Sequence, residues 1–135
     1  MRRFLVIIPM MLLATILPAT AAWAGSPHFV DHTVKATTSG ETLTVSGKEA
    51  GLGDELQVHI VVTATAECIN PGEKHPQAAN KESFSAAGDF PVQNGKANFE
   101  LTVTATLKPD CSPPMTIAWS DIVVTDTTNG ISVSL

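Results

Sequence analysis

From Leu56 to Cys68 every second residue is apolar: Leu56, Val58, Ile60, Val62, Ala64, Ala66 and Cys68. The residues between them, Gln57, His59, Thr63, Thr65 and Glu67, are polar, with Val61 the one exception. From Ala97 to Leu107 the same alternation runs without a break. A period of two places one set of side chains on one face of a pleated strand. A helix would scatter them around its circumference. Two such runs, each with one apolar and one Thr-rich face, demand an antiparallel sheet with one buried and one solvated side.

Shorter segments with β character occupy 29–37, 42–48, 82–87, 116–126 and 130–135. In 116–126 the alternation slips near Asp121, which predicts a β-bulge. Turn residues separate the runs: Ser39-Gly40-Glu41, Gly51-Leu52-Gly53-Asp54, Asn94-Gly95 and Thr128-Asn129-Gly130. Asn-Gly suits the positive φ angles of a tight hairpin. No ten-residue stretch after residue 24 has helical periodicity. The expected fold is all-β, a single immunoglobulin-like Greek-key sandwich of about seven strands, with a jelly roll or closed barrel as the second choice.

The N-terminus reads differently. Arg2 and Arg3 precede an apolar run from Phe4 to Leu17, and Ala22-Trp23-Ala24 follows. A basic start, an apolar middle and an A-x-A site are the three parts of a secretory signal peptide. Residues 1–24 are therefore expected to be removed, leaving 25–135 as the β-sandwich domain. The apolar run is shorter than the ~20 residues that span a bilayer, which favours cleavage over an anchor. Residues 25–135 contain six Lys, no Arg and 13 acidic residues, a formal charge of −7. Arginine is the preferred side chain for phosphate capture, and an acidic surface repels polyanions. Nucleic acid is excluded as a partner, and so is a membrane once the leader is gone.

Candidate chemistries are few. Two cysteines in an exported chain most simply form one disulfide, Cys68 to Cys111. Neither has a His or a basic residue within two positions to lower its thiol pKa. His28 and His32 share a face on a strand but stand about 13 Å apart, too far for one ion. His59 and His75 add no ligand spacing, and no metal or other cofactor is expected. Neither G-x-S-x-G nor H-E-x-x-H occurs, and the acids are scattered singly. The oxygen-rich run Thr125–Asn129 reads as a hairpin turn before it reads as a calcium loop.

Three segments carry a resemblance: Leu43–Gly53, Cys68-Ile69-Asn70-Pro71-Gly72 and Cys111-Ser112-Pro113-Pro114. With them the chain resembles a group of small secreted proteins of high-GC Gram-positive bacteria that have no assigned activity. The resemblance implies a fold and an extracellular address, and no active site.

The expected function is that of an exported, non-catalytic binding or structural module. Its partner would be an extracellular or cell-envelope protein. A small secreted metal-dependent or hydrolytic enzyme and a protease inhibitor are the alternatives. If the two long strands end at one rim, the Pro-bearing loops Ile69–Lys81 and Lys108–Met115 cluster there, tied at their roots by the disulfide. Lys74, His75 and Met115 are then the candidate contacts, since rigid loops at the end of a sandwich suit recognition. The same prolines would also serve simply to stop fraying and to block edge pairing.

Overall fold

The computed structural model describes residues 26–70 and 80–135. Residues 1–24, expected from sequence to be a cleaved leader, and the candidate contacts Lys74 and His75 lie outside the described residues. Eight strands are present among those described: β1 (His28–Phe29), β2 (Lys35–Ser39), β3 (Thr42–Ala50), β4 (Gln57–Ile69), β5 (Lys81–Pro91), β6 (Ala97–Thr104), β7 (Thr116–Asp126) and β8 (Ile131–Ser134). They form two antiparallel sheets packed as a sandwich. In one, β3 is central, with β6 on one side and β1 and β2 sharing the other. In the other the order is β5-β4-β7-β8.

The alternation does what a period of two requires. Val58, Ile60, Val62, Ala64, Ala66 and Cys68 of β4 are buried, as are Ala97, Phe99 and Val103 of β6. Leu43 and Val45 of β3 and Val124 of β7 complete the core between the sheets. Phe99 meets Phe29 and Phe90 edge-on, with ring centroids 5.9 and 6.2 Å apart. Such tilted pairs bring the positive ring edge to the negative face of its neighbour.

Several expectations need correction in detail. The segment 29–37 is two strands, not one. A turn at Asp31–Thr33 divides it, with His32 at φ 64°, and Thr33 Oγ1 and N both donate to Val30 O. That split raises the count from seven to eight. Leu56 precedes β4 and is 87% exposed, so it is not the first inward residue of that strand. The β6 ladder stops at Thr104, yet Ala105 and Leu107 remain buried. The backbone N–H of Ala105 turns instead to Glu41 O at 2.8 Å.

The turns follow their residues. Asn94 and Gly95 have φ 53° and 72°, and Gln93 and Lys96 exchange two backbone hydrogen bonds around them. Positive φ at both central positions is the requirement of a type I′ hairpin. The predicted bulge is present. Thr63 pairs with Val123 and Thr65 with Ser120, so two residues of β7 oppose Ala64. Asp121 takes the left-handed conformation there, at φ 50°.

Candidate functional site

The end of β4 and the loop after β6 come together. Cys68 and Cys111 are joined by a disulfide, with Cα atoms 5.6 Å apart and a sequence separation of 43. Both long strands therefore finish at one rim, which also holds the β2–β3 turn and the start of β7. There Glu41, Cys111, Pro113 and Ile117 line two adjoining shallow grooves, one extended by Met115 and Gly40, the other by Leu107 and Asp110. Trp119 Nε1–H reaches towards Gly40 O at 3.4 Å and ties the turn to β7.

Of the three candidate contacts, Met115 alone falls within the described residues. Its Sδ lies 3.7 Å from Cys68 Sγ, and its N–H donates to Ser112 O at 2.9 Å. It is half-buried against the disulfide, where the sequence suggested an exposed contact. Gly40, Glu41 and Ile117 were not singled out by sequence. They belong to other elements and reach the rim only because β2, β3 and β7 all begin or end there.

The opposite end of the sandwich holds two buried acids. Glu49 at the end of β3 and Asp126 at the end of β7 are both fully buried. Asp126 Oδ1 accepts from the backbone N–H of Thr128 at 2.8 Å and of Asn129 at 3.2 Å. Its Oδ2 accepts from Asn129 Nδ2 at 2.7 Å, and the same amide donates to Glu55 Oε2 at 3.0 Å. Both carboxyl oxygens of Glu49 are buried, with no donor on them among the described residues. Burial, then the Asp126 carboxyl beside it, pushes Glu49 up to about 8. Burial opposes ionisation of Asp126 as well. The Glu49 carboxyl beside it and the hydrogen bonds from Asn129 and Thr128 outweigh burial and hold Asp126 below its ordinary value.

Sequence reading passed over this pair because single acids carry no spacing signal. A positional clue was nonetheless there. Glu49 continues the inward series Leu43, Val45, Gly47, and a strand ended at residue 48 leaves it out.

A third arrangement lies on the outer face of the second sheet. His59 Nδ1 and Asp89 Oδ1, directly opposed on β4 and β5, are 2.8 Å apart, and both side chains are about half exposed. Thr128 Oγ1 accepts from the His59 backbone N–H at 2.9 Å, so the hydroxyl nearby is held by the main chain rather than by the imidazole. The ring nitrogen of His28 is held locally by Ser26 O at 2.8 Å. Among the described residues no three His, Cys, Asp or Glu side chains converge to hold a metal ion. Compared with protein-family models, with curated proteins and with solved structures, the chain finds no match.

Proposed function

We propose that this chain is an exported, non-catalytic module of immunoglobulin-like Greek-key type that binds an extracellular or cell-envelope protein through its disulfide rim. The strand pairing supports the topological part. β3 pairs with β6 across an intervening β4 and β5, and β4 pairs with β7 across β5 and β6. Such long return connections are in keeping with a Greek key. Disulfides persist in oxidising compartments, which supports export together with the leader-like residues 1–24.

The observation that carries the binding reading is the pair of grooves flanking Cys111. Their walls come from the β2–β3 turn, the Lys108–Met115 loop and β7, and the disulfide fixes that loop to β4. A surface held in shape before it meets its partner avoids much of the ordering cost of binding.

The test compares three purified proteins as bait against culture medium and envelope fractions of the native host. They are the wild type, a rim variant Glu41→Lys with Met115→Asp, and Lys96→Ala at the far end. Partners retained by the wild type and by Lys96→Ala but lost by the rim variant support the reading. A rim variant of unchanged melting temperature that keeps every partner overturns it.

A further inference from the structure

The Glu49–Asp126 pair leaves a question of occupancy. Two carboxyl groups, both fully buried, act on one another at one end of the core, and both oxygens of Glu49 lack a donor among the described residues. The positions paired with them are apolar: Phe29 on β1 and Ala97 on β6 beside Glu49, Ile60 on β4 and Ile131 on β8 beside Asp126. The one further ionisable group acting on Glu49 is Glu55 of the β3–β4 loop, also an acid. No cation balances the pair among these neighbours. Two ionised carboxylates in such a place would repel one another with their hydration lost.

Lone-pair accounting narrows what resolves this. Oδ1 of Asp126 already accepts two N–H groups and Oδ2 accepts one. A carboxylate oxygen offers about two acceptor sites, so one site remains, on Oδ2. That suits one hydrogen bond and leaves little for a metal, whose hard-cation sites want six or more oxygens. A proton on Glu49 turns one of its unpartnered oxygens into the missing donor.

We propose that Glu49 and Asp126 share one proton across the two sheets, and that this proton locks the end of the sandwich remote from the disulfide. Losing it puts a second negative charge beside Asp126, the residue that gathers Thr128 and Asn129 into the β7–β8 turn. Asn129 in turn holds Glu55 of the β3–β4 loop. The turn and the loop are the parts that loosen. The domain therefore slackens as the pH climbs from the ordinary glutamate value through the range in which this proton is lost. The raised position of the Glu49 carboxyl agrees with this geometry.

The sign follows from proton counting. Between the ordinary glutamate value of 4.5 and about 8 the folded chain holds a proton that the unfolded chain has released. The ratio of folded to unfolded protein then falls by up to about tenfold per pH unit across that window and levels off above it. The experiment measures denaturant unfolding of the purified protein from pH 4 to 9 for wild type, Glu49→Gln and Glu49→Leu. Glutamine keeps a donor towards Asp126, and leucine removes the ionisable group. Each variant should lack the one-proton slope of the wild type. A wild type with no extra slope, or variants that keep it, overturns the proposal.

Side-chain carboxyl carbon resonances of the wild type, assigned through the Glu49 backbone, give the same answer without a variant. Glu49 should titrate far above the other glutamates, in step with the Thr128 and Asn129 amides. An ordinary midpoint for Glu49 overturns the proposal. So does calcium chloride that raises the wild-type unfolding midpoint at pH 9 but not that of Glu49→Gln, since a cation would then be the natural occupant.

Discussion

Phe99 lies so close over the backbone of Gly47 that a Cβ built there would stand 2.7 Å from Phe99 Cζ. The two residues are register partners on β6 and β3. The Phe99 ring has little room to withdraw, since Phe29 and Phe90 pack edge-on against it, and the same Cβ would also stand 3.0 Å from Val34 Cγ2. Glycine inside a strand ordinarily weakens it, and here it marks a close approach. Gly47→Ala should destabilise by about 1–3 kcal/mol through overpacking. Chemical denaturation checks it, and a second change, Phe99→Leu, should recover part of the loss by vacating the ring's position.

The disulfide closes a span of 43 residues. Loop-closure entropy gives its removal a cost of about 4 kcal/mol, because the reduced unfolded chain regains that freedom. The double substitution Cys68→Ala with Cys111→Ala should show this as a lower denaturant midpoint. Partner capture by the rim should fall as well, even at temperatures where the double variant remains folded. Met115 then loses the sulfur it packs on, and the Lys108–Met115 loop is no longer held to β4.

Asp121 illustrates what the sequence makes legible. In β7, Ile117 and Trp119 stand opposite the buried Cys68 and Ala66, while beyond the bulge Val124 and Asp126 are the buried positions. Inward parity passes from odd to even at Asp121, which is why the slip is visible in the linear pattern. A residue at φ 50° tolerates glycine, so Asp121→Gly should be neutral or stabilising by up to ~1 kcal/mol. Deleting Asp121 should keep the register, because Ile122 alone then opposes Ala64 while Val124 and Asp126 retain their partners Val62 and Ile60. Hydrogen exchange should show protection kept along β7 and β8.

The strands, the bulge and the Asn94-Gly95 turn are legible because each depends on near neighbours in sequence. The rim and the carboxyl pair are not. Glu41 and Ile117 meet only after β3 and β7 have been placed in different sheets. Glu49 and Asp126 are 77 positions apart and neither carries a local motif. Their burial is set by strand parity, and only the packing of the sheets makes them neighbours. Fold is thus read from periodicity, while the sites come from tertiary closure.

The two acids give the stability profile a definite shape. Asp126 is held below its ordinary 3.8, so its share of stability is present above that value and is lost as acid protonates it in the folded state. Glu49 is raised from 4.5 to about 8, so its share is present below 4.5 and is lost as pH climbs through that window. Both shares are complete only between 3.8 and 4.5. The pair therefore favours an acidic optimum, below the range of about pH 5–8 where most proteins are most stable. Asp126→Ala should remove the acid limb of this profile. It should also cost about 1–3 kcal/mol, because the buried N–H groups of Thr128 and Asn129 lose their acceptor. Glu49→Gln should remove the alkaline limb and leave the acid limb in place. Thermal unfolding of wild type and both variants from pH 3 to 9 separates the two limbs. A wild-type maximum above pH 7 that neither substitution moves would contradict this account.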